Sequence, residues 1–283
     1  MAGQDPRREE RRDHEPGHQV DRLIEAAPAE HVEPTLRLRG VGRRFGGLLA
    51  VSDVDLDVAH GERRAILGPN GAGKTTLFNV ISGDLAASSG SVELFGEDVT
   101  AVPPRKRTKL GLARTYQQSR MLLGLSVEDS IYLSALGVGA GHLRPVTLPR
   151  KDEALRERAR AAAKRTAIDH KLSELVGNLS HGEHRQIAIA MALAAEPKLL
   201  MLDEPASGVS RGERRLLTDL LLGLDPDITL VLIEHDMDVA LTVAEQVTMM
   251  HNGRVIVEGT PDEIRGNTLV HDLYLGRHHQ RDE

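Results

Sequence analysis

The sequence predicts an α/β fold that is entered through antiparallel strands and carries a helical lobe in its middle. Three observations predict it. Alternating runs near the start read as half-exposed strands, and continuous apolar runs later on read as strands buried on both faces. Between them a glycine-rich loop joins a strand to a helix. The length agrees, since 283 residues suit one generous domain or one core with a small appended lobe.

The elements follow in order. Residues 1–33 mix both charges with Pro and Gly, the composition of a disordered tail. Thr35-Leu36-Arg37-Leu38-Arg39 and Val54-Asp55-Leu56-Asp57-Val58 alternate with period two. Arg64-Ala65-Ile66-Leu67 is a short buried strand running into the glycine-rich turn, and Ser91-Val92-Glu93-Leu94-Phe95-Gly96 alternates again. Helices are predicted over 125–136 and 151–169. The three Gly and two Pro of 137–149 predict a loop between them. Leu199-Leu200-Met201-Leu202 and Ile228-Thr229-Leu230-Val231-Leu232-Ile233 are the continuous runs. Val247-Thr248-Met249-Met250 and Val255-Ile256-Val257 flank Asn252-Gly253, a hairpin turn. No internal repeat is present.

Composition excludes several functions. At 40% hydrophobic content the chain can bury a real core. A net charge of −6 argues against a dominant nucleic-acid surface, so no nucleic-acid partner is expected. There is no cysteine, hence no disulfide, thiolate metal site or cysteine nucleophile. Three Phe, three Tyr and no Trp make a base-stacking platform a poor fit. The longest apolar stretch, 187–195, falls short of the roughly 20 residues a membrane span needs. The first ten residues lack the apolar segment of a secretory signal. The expectation is a cytoplasmic chain whose membrane span, if it acts at a membrane, belongs to another chain.

Three motifs carry chemistry. Gly68-Pro69-Asn70-Gly71-Ala72-Gly73-Lys74-Thr75-Thr76 fits G-x-x-x-x-G-K-[ST] after a strand and before a helix. Glycines let backbone N–H groups turn inward around phosphate oxygens, and the helix N-terminus adds its dipole. Lys74 would reach the β- and γ-phosphates, and the Thr75 hydroxyl would ligate Mg2+. Second, the apolar strand 199–202 ends in Asp203-Glu204. Asp203 can hold Mg2+ through water, and Glu204 can orient or deprotonate an attacking water, as phosphoryl transfer requires. Third, Leu179-Ser180-His181-Gly182-Glu183 starts a helix with Ser180 as N-cap and Glu183 at N3, a capping box. A plain surface turn for the acids and a plain capped helix for 179–183 are the ordinary alternatives.

Together with Glu234-His235-Asp236, these motifs resemble the nucleotide-binding subunit of an ABC transporter. The resemblance spans about 35–276. It implies a P-loop NTPase core of ABC type, with an antiparallel β subdomain and a helical signature subdomain. The implied domains are an ATPase domain over 34–276, a helical subdomain over about 118–195, and a C-terminal tail over 277–283. ATP and Mg2+ are the implied ligands. The resemblance also implies a head-to-tail dimer in which Ser180 and Gly182 of one subunit touch the γ-phosphate bound by the other. Gln117, with Gln118 beside it, matches the glutamine that senses γ-phosphate and Mg2+, and His235 matches the histidine that contacts γ-phosphate. Phe45 sits where the family stacks an aromatic on adenine; a core phenylalanine is the alternative.

Some positions depart from the family pattern. His181 stands where Gly is commonest, Glu183 where Gln is commonest, and Ser210 where Asp is usual. With Phe45-Gly46-Gly47 and the ending 257–261 through Tyr274-Leu275-Gly276, the spelling resembles the branched-chain amino acid importer subgroup. Urea and amide importers and lipopolysaccharide-export ATPases share much of it. The implied partners are membrane permease subunits on other chains, a second copy or a paralogous ATPase, and an extracytoplasmic solute-binding protein. The implied location is the inner face of the cell membrane. A soluble relative acting on ribosomes or DNA would carry two cassettes or a long insertion; this chain has one phosphate loop and a short stretch between Gln117 and Ser180. A dead regulatory subunit would be expected to lose Lys74, Glu204 or His235.

Overall fold

The computed structural model describes residues 33–116, 121–138 and 153–275. The N-terminal tail through 32, the tail after 275, nearly all of the loop predicted over 137–149, and Gln117 with Gln118 lie outside the described residues. The chain opens with β1 (Leu36–Phe45) and β2 (Leu48–Val58), an antiparallel pair. Val54, Leu56 and Val58 of β2 are buried while Asp53, Asp55 and Asp57 stay exposed, the alternation the sequence shows. β3 (Arg63–Leu67) leads through the glycine-rich loop into α1 (Lys74–Ser82). β4 (Ser89–Leu94) and β5 (Glu97–Asp98) complete a four-stranded sheet ordered β2-β1-β4-β5.

Next come α2 (Pro104–Leu110), β6 (Leu112–Arg114), α3 (Val127–Val138), α4 (Glu153–Arg165) and α5 (His181–Ala194). β7 (Leu199–Asp203), α6 (Arg211–Leu222), β8 (Thr229–Ile233) and α7 (Met237–Val243) follow. The described chain closes with β9 (Gln246–His251), β10 (Arg254–Gly259), α8 (Pro261–Arg265) and α9 (Thr268–Leu275). The second sheet is six-stranded, ordered β10-β9-β3-β8-β7-β6. Its strands pair in parallel except β10, which returns antiparallel to β9. Asn252 and Gly253 make that return with φ of 49° and 79°, the left-handed pair a tight hairpin needs.

The continuous apolar runs have the burial that the pattern implies. Leu200 and Leu202 of β7 and Leu230 and Leu232 of β8 face one core, which also takes α5, α6 and α7. Met201, Val231 and Ile233 face a second core with Leu77, Phe78 and Ile81 of α1 and the inward residues of β1, β2 and β4. Helix α1 is therefore sandwiched between the two sheets. α3, α4 and α5 pack on one another through Ile131, Ala159, Ala163 and Ile187. The basic run on α4 is a face laced with acids: Arg160 pairs with Glu128, Glu153 and Glu157, and Arg156 with Glu128 and Asp129.

Helix α4 ends earlier than the predicted 151–169. Ala167 takes φ of 55°, which breaks the helix and turns Ile168 into the core. α2, β5, β6 and the helices α6, α7, α8 and α9 have no counterpart among the predicted elements. β6 is three residues long, and Ala113 and Arg114 carry little strand propensity.

Arg107 of α2 is 1% exposed and hydrogen-bonds to no carboxylate among the described residues. Its guanidinium donates to five carbonyls: Val80 and Ile81 in the last turn of α1, and Val99, Thr100 and Val102 in the loop before α2. A cation there satisfies carbonyls that the helix end leaves open and complements the negative end of its dipole. Burial pushes its pKa down, opposed by Asp84 and Asp98. Arg107→Met should keep the volume but strand those carbonyls, costing about 3 kcal/mol in urea unfolding. A loss below about 1 kcal/mol would show that the carbonyls find other partners.

Candidate functional site

Strand β3 has later strands on both sides, β9 and β8, and the glycine-rich loop leaves its C-terminal end. Ligands of open parallel sheets bind at such switch points. The loop is held by backbone from both sheets. Gly73 caps α1 with φ of 101°, and a Cβ there would stand 2.5 Å from Ala50 O. A Cβ on Gly68 would collide with Met250 O. The Gly253 N–H donates to Ala72 O at 2.9 Å, and the Ser52 N–H donates to Gly253 O at 2.8 Å.

Above the loop lies a cavity of about 570 Å3. Asn70, Gly71, Ala72, Gly73, Lys74, Thr75 and Thr76 line it from one side, and Phe45 and Glu204 from others. Gly68 and Pro69 sit beneath, where their carbonyls accept from Lys74 Nζ at 2.6 and 3.2 Å. Burial lowers the Lys74 pKa, opposed by the charges of Glu204 and Asp203. Phe45 is exposed at the rim rather than packed in a core, and the Arg43 guanidinium lies 4.6 Å from its ring centre.

Strand β7 delivers the two carboxylates. Asp203 is 2% exposed, and its Oδ2 accepts from Arg114 Nη2 at 3.1 Å. Its Oδ1 is buried with no hydrogen-bond partner among the described residues. Burial raises its pKa, opposed by Arg114. Glu204 turns off the strand with φ of 48°, a conformation that costs a non-glycine residue on the order of 1 kcal/mol. Its N–H donates to Ile233 O at 2.9 Å, which ties it to the end of β8. Its Oε2 is 3.8 Å from Nδ1 of His235, a half-exposed side chain just beyond β8. The buried Asp203 oxygen and the Thr75 hydroxyl that lines the cavity are hard oxygen donors of the kind Mg2+ takes, so the residues present fit that ion.

The 179–183 segment stands apart from this cavity. Ser180 and Gly182 line a separate groove of about 250 Å3 between α5 and α6. The capping box is present: the Glu183 N–H donates to Ser180 Oγ at 3.3 Å, and the Ser180 N–H donates to Glu183 Oε2 at 2.7 Å. Lys171 at 2.8 Å, with that N–H, holds the Glu183 carboxyl down to about 2. Gly182 packs so close to Glu213 that any Cβ would collide with its carboxylate. Ser210, where the family pattern has Asp, caps α6 in a second capping box with Glu213. His184 Nε2 lies 2.8 Å from Val176 O.

The sequence profile of the ABC transporter family matches residues 51–207. The chain belongs to the ABC transporter family. It is an ATP-binding-cassette ATPase. It is 32% identical over 251 residues to the high-affinity branched-chain amino acid transport ATP-binding protein LivG of Escherichia coli (strain K12), covering 86% of this chain and 98% of that one. The corresponding protein BraF of Pseudomonas aeruginosa is 32% identical over 250 residues, with the same coverage. The crystal structure of the ADP conformation of an ATP-binding cassette of an ABC transporter superposes with a TM-score of 0.76 at 29% identity, covering 86% of this chain and 98% of that one.

Two residues to which the motifs assign no role are built into this ABC ATPase site. Arg114 holds Asp203 as described. Glu234, fully buried, accepts the Ala206 N–H at 2.7 Å and the His235 N–H at 3.2 Å. It thereby ties the turn after β7 to the turn after β8. Burial raises its pKa, opposed by the Ala206 N–H. A signal for both existed: a charged residue at the end of a short apolar strand at a sheet's loop-bearing edge. Neither spacing nor propensity says which acid such a residue meets.

Because Lys74 makes its hydrogen bonds to the loop's own carbonyls, Lys74→Ala should stay folded. Titration with a fluorescent ATP analogue should show affinity reduced by about tenfold to a hundredfold. Unchanged affinity would remove Lys74 from the site.

Proposed function

We propose that this chain is the ATP-hydrolysing subunit that powers a membrane permease importing branched-chain amino acids or a related polar solute. The observation that carries the reading is the match along 98% of LivG and of BraF, each an ATP-binding protein of branched-chain amino acid transport. Among the described residues no helix is long and apolar enough to cross a membrane. The pore is therefore assigned to other chains, with this subunit at the inner face of the membrane. A solute-binding protein outside completes the system, and the solute is chosen there and in the permease.

The geometry supports a specific division of labour. Phosphates would rest on the N–H groups of the loop at the positive end of α1. Lys74 would leave the carbonyls of Gly68 and Pro69 for the β- and γ-phosphates. Thr75 and, through water, Asp203 would hold Mg2+, with Gln117 reaching the same ion; when bound, Mg2+ neutralises charge on the phosphates. Glu204 would orient or deprotonate the attacking water, and His235 would contact the γ-phosphate beside it. Phe45 would cover the adenine. Ser180 and Gly182, absent from the lining of their own chain's cavity, would complete the site of a second subunit, an identical copy or a paralogue. ATP binding would then close the dimer and hydrolysis reopen it, the step that drives the permease. The helical lobe formed by α3, α4 and α5 would receive the permease.

Glu204→Gln should retain ATP binding, accumulate a closed dimer in size-exclusion chromatography with ATP, and slow turnover by roughly a hundredfold or more. Turnover at the wild-type rate would rule out the assigned role. Affinity capture of the chain from detergent-solubilised membranes, read by mass spectrometry, tests the transport reading. Recovery of a polytopic permease supports it. Recovery of ribosomal or DNA-repair components without a permease overturns it.

A further inference from the structure

We propose that Arg114 is a positioning residue for the metal site: it grips one oxygen of Asp203 so that the other is held ready for hydrated Mg2+. The inference rests on the ATPase reading above. Arg114 ends β6, and its side chain is 5% exposed. Its Nη2 donates to Asp203 Oδ2 at 3.1 Å. Its Nη1 reaches Asn79 Oδ1 at 2.7 Å and Ser82 Oγ at 2.8 Å on α1, and Asp84 Oδ2 at 3.1 Å just beyond it. Its guanidinium lies 5.6 Å from the Phe78 ring centre and 4.8 Å from that of Tyr116. The Tyr116 hydroxyl donates to Asp84 Oδ2 at 3.1 Å.

This arrangement does more than neutralise a buried acid. A lone carboxylate on a strand tip can rotate and present either oxygen. Here Oδ2 is taken by the arginine, and Oδ1 is left buried without a partner among the described residues. A buried unpartnered acceptor is costly, which makes it a place for a ligand. The planar fork of a guanidinium fixes both ends of the grip at once: one arm is set by α1, the helix that begins at the phosphate loop, and the other sets Asp203. One side chain thus ties the acid to the last turn of the helix that the loop begins. Arg114 and Tyr116 also line an apolar groove of about 650 Å3 between the sheet core and α5.

Charge alone predicts the opposite of positioning. With Asp203 ionised, removing the cation beside it should tighten Mg2+ if Arg114 acts only through its charge. If Arg114 positions the acid, its removal should weaken Mg2+ instead. The experiment uses the full chain and fluorescent ATP, first in chelator and then with Mg2+ titrated in. For Arg114→Met the expected result is metal-free nucleotide affinity within about twofold of wild type and a Mg2+ half-saturation raised about tenfold, with kcat lowered and KM nearly unchanged. Arg114→Lys, which keeps the charge but has no fork, should recover only part of the shift. Asn79→Ala, which loosens the Nη1 arm, should move Mg2+ the same way by less, and it carries the test if the Met variant does not fold. Unchanged or tighter Mg2+ in these variants, with only a lowered melting temperature, overturns the proposal. A wild-type chain whose nucleotide binding ignores Mg2+ overturns the ATPase reading and the proposal with it.

Discussion

Helix α1 has almost no free face. Leu77, Phe78, Val80 and Ile81 are each at most 1% exposed, because one sheet packs on each side of the helix. A helix confined that way cannot slide or tilt, so the loop at its start is confined as well. The far end is confined by charge. Arg107 takes the carbonyls of its last turn, and Arg114 takes Asn79 and Ser82. Two cations at the C-terminal end reinforce the dipole whose positive end points at the phosphate loop. The packing that makes the helix rigid and the electrostatics that make its start attract anions are one arrangement.

The carboxylates show how the protein holds acids where water would not. Asp203 and Glu234 are both buried, and burial raises both. Each is kept in place by a different donor: a guanidinium for Asp203, backbone N–H groups for Glu234. Glu204, between them, lines the open cavity instead and sits on a left-handed backbone. The two buried acids fix the turns after β7 and β8, and the strained residue between them has little freedom left.

Much of this was legible in the sequence, for a physical reason in each case. Alternation in β2 and continuity in β7 and β8 are direct records of one-sided and two-sided burial. The phosphate loop is legible because backbone turned toward an anion requires glycine at fixed offsets. The capping boxes at Ser180 and Ser210 are both legible as Ser with Glu three residues on, although the second stands where the family pattern puts an acid. What could not be read is whatever depends on partners far apart in the chain. Arg107 looks like a surface residue of a basic stretch and is 1% exposed. Arg114 lies in a strand of three residues and meets an acid 89 positions later. The separation of Ser180 from its own chain's phosphate cavity is likewise a fact of packing, not of spacing.

The hairpin turn at Asn252-Gly253 carries a consequence for synthesis of the protein. The loop motif is complete by Thr76, yet the Gly253 N–H and the carbonyl of Met250 are what brace it, and β3 pairs with β8 and β9 on its two sides. A nascent chain that has left the ribosome only through α7 therefore carries the motif without the wall that β9 and the hairpin supply. Sheet closure must wait for pairings separated by well over a hundred residues, which places this ATPase among topologies that fold slowly. The wall that the hairpin supplies to the phosphate loop is therefore among the last parts of the site to be made.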